Sequence, residues 1–166
     1  MLKNKSVFFG MIGAVFVLVL TGILFLCRPF PTFSGYSDNS VLGEQQPPEP
    51  TFHEKNYVSN QNGDNLLTVS SLQLSGIENV ADINAKSNIT GKLECSFQSV
   101  QGAFKLILVS GSGKVTPIFD SEKQKSGSVV SVPFSKGINA VRLVGKPVEL
   151  TGFSAKWTDI DRSELA

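Results

Sequence analysis

Hydrophobic and polar positions follow three different patterns along the chain. Residues 7–27 are apolar on every helical face and contain no charge and no proline. As a helix they would reach about 31 Å, matching a bilayer core of about 30 Å. Residues 28–56 lose that pattern: Pro29, Pro31, Pro47, Pro48 and Pro50 stand among Ser, Gly, Asn, Gln and Glu, with apolar side chains only scattered. From residue 57 onward the apolar positions recur with period two, the spacing of half-buried strands.

Individual elements can be placed on this third pattern. Leu93, Cys95 and Phe97 alternate with Glu94, Ser96 and Gln98, which predicts an antiparallel strand with one buried face. Residues 66–74 read as a strand with a slip of register near Ser70. Residues 103–109 are almost continuously apolar, as a central strand would be. Ser110, Gly111, Ser112 and Gly113 then supply a hairpin turn into residues 114–119. Pro117 cannot donate to a ladder, so that strand should lie at an edge or bulge there. Further strands are expected at 129–132 and 138–144, followed by an extended section through Phe153 and Trp157. Residues 79–86 leave room for one or two helical turns.

The sum is an all-β fold, an antiparallel β-sandwich of jelly-roll type, preceded by a single N-terminal transmembrane helix. The expected layout is a cytoplasmic tip at 1–6, a transmembrane helix at 7–27, a Pro-rich disordered stalk at 28–56 and an extracytoplasmic sandwich at 57–166. The stalk assignment rests on composition too polar to offset its ordering entropy, with polyproline II expected at 45–50.

The anchor reads as uncleaved, because the apolar run exceeds a signal-peptide core and ends without a small-x-small site. Cys27 is preceded by Leu26 where a lipoprotein signal needs a small residue, so lipidated and secreted forms are the lesser alternatives. Lys3 and Lys5 precede the helix and only Arg28 closely follows it. The positive-inside bias therefore puts the N-terminus in the cytoplasm and the C-terminal domain outside the cell membrane. Ser6, Gly10 and Ala14 share one helical face at four-residue spacing, a seam through which two anchors could self-associate; small residues are also simply common in membrane helices.

Charge and candidate chemistry narrow the function. Beyond residue 55 the chain has 11 Lys/Arg against 10 Asp/Glu, a balance that argues against nucleic acid and anionic lipid as partners. Cys95 is the one cysteine outside the anchor and alternates with core positions, so it reads as a small hydrophobe. His53, the only histidine, falls in the stalk, which leaves no nucleophile–base pair and no metal set. The chain therefore reads as a non-enzyme without cofactor. Asp159, Asp161 and Glu164 could offer oxygens to calcium, but no Asp-x-Asp-x-Asp-Gly loop is present. Residues 110–114 superficially resemble a phosphate loop, yet Leu108 stands where its first glycine belongs and Val115 where Ser or Thr belongs. Asn88 and Thr90 form a glycosylation sequon, meaningful only in a cell that glycosylates its exports. Trp157, Phe153 and Tyr57, with Phe134, are the aromatics that could stack on a sugar; the competing role is the core.

Residues 102–109, a charged hairpin, and residues 136–145 resemble the closing strands of galactose-binding-like and carbohydrate-binding-module jelly rolls in ectodomains of membrane-anchored bacterial proteins. Those modules often have a Gly-x-Asn turn leading into the strand, as at Gly137 and Asn139. The resemblance spans about half of the domain and implies a fold, with sugar binding following only by analogy. The expected function is a membrane-anchored extracytoplasmic binding or interaction module for a cell-envelope glycan or a protein partner. The alternative is a structural or accessory subunit of a membrane assembly, and a hydrolase ranks last.

Overall fold

A computed structural model describes residues 31–60 and 63–165. The tip, the transmembrane helix at 7–27 and the Ser6, Gly10 and Ala14 face lie outside the described residues. No helix among the described residues is long and apolar enough to cross a membrane.

The fold is all-β and antiparallel. Seven strands carry it: β1 (Thr51–Ser59), β2 (Asn65–Ala85), β3 (Ile89–Ser96), β4 (Ser99–Ser110), β5 (Val115–Asp120), β6 (Ser128–Phe134) and β7 (Gly137–Asp159). Pairing runs β1-β2-β7-β3-β6, with β4 joined to β7 and β5 to β4. The long strands β2 and β7 pair along nearly their whole length. On the other edge of β7, β4 pairs with Asn139 to Thr151 and β3 with Ser154 to Asp159. The sheet therefore forks into a β4–β5 arm and a β3–β6 arm.

Both arms turn their apolar faces onto one core, giving a sandwich-like body. Leu93, Cys95, Val130, Val132 and Phe134 come from one arm, and Phe104, Leu106, Leu108, Ile118 and Phe119 from the other. Leu72, Leu74, Leu143, Leu150, Phe153 and Trp157 of β2 and β7 fill the space between them. Phe104 packs its ring against Phe119 and Phe153, with centroids 5.6 and 5.2 Å away.

Several irregularities fall where chain chemistry requires them. In the β1–β2 ladder Asn56 faces Ser71 and Tyr57 faces Val69, so Ser70 is the skipped residue. β5 pairs only with β4, and its register slips between Phe119 and Pro117, so Pro117 sits both on an edge strand and at a bulge. The 110–113 turn is a hairpin closed by the Ser110 amide donating to the Lys114 carbonyl at 3.0 Å. In the β4–β7 ladder Pro147 is the extra, unpaired residue of a bulge, and opposite it stands Gly102 at φ +84°. A Cβ there would lie 2.0 Å from the Pro147 carbonyl oxygen, which only glycine avoids.

Two expectations from sequence are corrected. Residues 79–86 are not helical: β2 continues to Ala85, with Val80, Ile83 and Ala85 in the core. A register shift between Asn79 and Ala81 interrupts the strand alternation there, which is why the sequence left room for a helical turn. The larger correction concerns the stalk. The folded unit begins at Pro31, not at residue 57. A 3-10 turn at Ser34–Ser37 and a one-turn helix, α1 (Asn39–Leu42), form a strap, and β1 begins at Thr51.

The strap exists because the sheet needs a cover. Ile77, Ala103, Ile107, Val109 and Val144 point away from the main core and form a second cluster with Tyr36 and Leu42. Phe33 and Val41 pack around it. Asp38 caps α1 through Ser40, whose amide and hydroxyl both donate to it, and these bonds hold its carboxyl below the usual range. Tyr36 lies under two lysines, with Lys105 Nζ 4.4 Å and Lys146 Nζ 5.7 Å from the ring centroid. Ser75 on β2 donates its hydroxyl to the Pro31 carbonyl.

Candidate functional site

The strap and the outer sheet face leave a groove of about 220 Å³ beside them, lined in part by Gln45, Asn79, Asp82, Ser110, Ile138 and Arg142. Its construction follows from strand register. Arg142 on β7 stands opposite Asn79 on β2 and Ile107 on β4, and Ala140 stands opposite Asp82 and Val109. Gly111 of the β4–β5 hairpin closes one end, and Ile138 forms an apolar rim that is 63% exposed.

Arg142 is the unusual member, a charged residue only 3% exposed within the fully buried stretch Val141 to Gly145 of β7. Nη1 donates to the Leu42 carbonyl at 2.6 Å, tying the sheet to the C-terminus of α1 across 100 residues of sequence. Nε is enclosed without a hydrogen-bond partner. Nη2 has no protein partner either and, unlike Nε, is not enclosed. Among the described residues no carboxylate lies within ion-pair distance of it; Asp82 and Glu44 act only from further away. Burial lowers its pKa, opposed by those two carboxylates. A desolvated cation without a counter-ion is costly, because hydration is lost and no pair replaces it. Asp82 itself accepts from the Asn79 amide at 3.1 Å and remains exposed.

A second hollow of about 150 Å³ lies between the two arms, lined by residues that include Asn88, Lys114, Thr116 and Asn139. Asn139 is buried but fully engaged, donating to the Ser135 and Gly137 carbonyls and accepting from the Ser135 amide. It holds the turn into β7. Asn88 of the sequon accepts from the Lys136 amide at 2.8 Å.

The aromatics singled out in sequence do not form a sugar platform. Phe153 is fully enclosed, and Trp157 is 6% exposed with its ring 5.9 Å from Phe134. Both are corrected to core residues, because the two arms close over them. Tyr57 keeps partial exposure, and its hydroxyl donates to Glu78, which also pairs with Lys55 at 2.7 Å. Burial and that carboxylate raise the Tyr57 pKa.

The remaining candidates are dispersed. Asp159 pairs with Lys92, Asp161 accepts from Ser163, and Glu164 accepts from Ser87, so the three carboxylates face different partners. No group of three or more His, Cys, Asp or Glu able to hold a metal occurs among the described residues. His53 sits exposed on β1, in a paired strand instead of a flexible tether. Cys95 is enclosed in the core, where burial and nearby Glu94 push its thiol up to about 12. Arg142 was overlooked in sequence, though one signal was present: it is the single charge between Ile138 and Val144.

No family model, no curated protein and no solved structure matches this chain.

Proposed function

We propose that the protein is a membrane-anchored binding module, held by residues 7–27 with its N-terminus in the cytoplasm. Its sandwich lies outside and takes a polar envelope component in the groove at Arg142. The observation that carries this reading is the buried guanidinium with two nitrogens unused by the protein. Folded chains rarely leave such a group unmatched, and a concave polar site is where a ligand would complete it. The forked sheet shared by β2 and β7 fits a jelly-roll type of sandwich, a scaffold that hosts many kinds of binding site. The groove offers one cation, one carboxylate, amides and a hydroxyl, a set suited to holding a ligand more than to activating a nucleophile.

The sheet edges support the same choice. β5 and β6 each carry a proline, Pro117 and Pro133, and β1 has two register shifts with His53, Glu54 and Lys55 along it. Prolines, bulges and charges blunt edge-to-edge pairing, which moves the burden of recognition to the groove. The accessory-subunit reading draws on Val129 of β6 and Val58 of β1, 56% and 69% exposed at two of those edges.

A thermal-shift screen of the full chain in detergent against soluble envelope glycans, peptides and amino acids tests the proposal. The control is Gly111→Trp, which fills the groove at a position where a Cβ meets only the Ile138 carbonyl oxygen, 3.5 Å away. Ligands whose shift disappears in the variant support the groove. Shifts that persist place binding elsewhere and overturn it.

A further inference from the structure

We infer that the ligand of the Arg142 groove is a small zwitterion of the amino-acid type, its carboxylate received by the guanidinium and its ammonium by Asp82. This rests on the groove being the ligand site and adds the chemical class. The guanidinium is already fixed by its bond to the Leu42 carbonyl, so little freedom remains to be lost when an anion arrives. Its open Nη2 is a donor suited to a carboxylate oxygen, and charge-assisted bonds of this kind are among the strong ones. An uncharged sugar would leave that donor without a negative partner.

The neighbours decide which anion fits. Asp82 lines the same groove one register step from Arg142, and Glu44 contributes further negative charge nearby. A dianionic phosphate would meet that charge as repulsion. A ligand carrying its own cation a few atoms from its carboxylate turns Asp82 from an obstacle into a partner. Asn79 and Gln45 supply amide groups between the two poles, and Ile138, Ala140 and Val109 form an apolar wall for a short side chain. The volume of about 220 Å³ lies under the range of about 300–1,000 Å³ typical of drug-sized ligands, which limits the occupant to a small molecule.

The test uses the full chain in detergent, titrated calorimetrically with alanine, alanyl-alanine, acetate, methylammonium and inorganic phosphate. Alanine is expected to saturate the protein and to bind at least about tenfold more tightly than acetate or methylammonium, because two charged contacts replace one. Alanyl-alanine separates a free amino acid from a peptide source. Asp82→Asn, an exposed substitution that leaves the Arg142 bond to Leu42 in place, should weaken alanine about tenfold while acetate, relieved of a repelling neighbour, binds no more weakly than before. Phosphate or acetate binding as tightly as alanine, or alanine binding indifferent to Asp82→Asn, overturns the inference. No saturation by alanine up to roughly 10 mM overturns it as well. If alanine is silent while other compounds shift the protein in a Gly111-dependent way, the zwitterion fails and the groove reading stands. If nothing depends on Gly111, both fall.

Discussion

The two halves of β7 live in different surroundings. From Val148 to Trp157 the strand alternates: Val148, Leu150, Phe153, Ala155 and Trp157 enter the core, while Glu149, Thr151 and Lys156 face solvent. From Val141 to Gly145 every residue is buried, because Leu143 and Val141 face the main core and Val144 and Arg142 lie under the strap. A strand covered on one side shows period two, and a strand covered on both sides is a continuous apolar run. The difference teaches that such a run implies a second covering element, even where the only candidate looks like a linker.

The heaviest test of the contrast is in the shared core. Phe104 is fully enclosed and touches Phe97, Phe119 and Phe153, so Phe104→Ala should cost about 3–5 kcal/mol, measured by denaturant unfolding. Leu42→Ala removes an equally enclosed side chain from the strap. It is expected to cost about 2 kcal/mol, the low end for such a truncation, because a one-turn helix settles more easily than a sheet. Limited proteolysis should then cut near residues 43–50 well before the sheet. An unchanged stability on Leu42→Ala would make residues 31–43 a mere tether and erase the difference between the two halves of β7.

How much of this could be read beforehand depends on the local signal. The 93–97 alternation, the hairpin at 110–113, the slip at Ser70 and the placement of Pro117 each follow from one- or two-residue chemistry, and each is found in the fold. β1 was illegible because it is held by backbone bonds to β2 and leaves most of its side chains exposed, so it carries no hydrophobic period. The strap was hidden by its neighbours: Phe33, Tyr36, Val41 and Leu42 are the needed apolar set, diluted among Ser, Gly, Asp and Asn. Site residues fared worse, since the groove is assembled from β2, β4, β7 and the segment after α1, which only long-range pairing brings together. The aromatics misled for a related reason. A Trp or Phe looks the same in sequence whether it faces a ligand or a core.

The main core also sets a response to pH. Burial raises the Cys95 thiol to about 12 in the folded state against its ordinary value of 9.0, so the folded protein keeps a proton that the unfolded chain releases. Stability is then fully present below pH 9 and falls as pH rises from there toward 12, by about 1.4 kcal/mol per pH unit for one proton. Burial also raises Tyr36 and Tyr57, whose slope has the same sign, but it is common to parent and variant and cancels in their difference. Unfolding of Cys95→Ala in this window should be less steep in pH than that of the parent, whatever cavity cost it carries. Equal slopes would place the thiol in contact with solvent and contradict its enclosure.

The smallest expected effect separates what holds the strap from what the groove is for. Arg142→Met keeps the apolar stem and removes the guanidinium, along with its bond to the Leu42 carbonyl. Losing a hydrogen bond from a charged donor costs stability, but removing a desolvated charge that lacks an ion pair restores it, and the two terms are of similar size. The net change in unfolding free energy should stay within about 1 kcal/mol. Leu42 still packs on Ile107 and Val144 through the second cluster, so apolar contact alone keeps the strap down. A loss of about 3 kcal/mol or more, on the scale of breaking a buried pair, would instead make the arginine a structural tie and remove the reason to expect a ligand beside it. A near-neutral result leaves a costly cation that stability does not explain, and binding becomes the remaining cause for its place in β7.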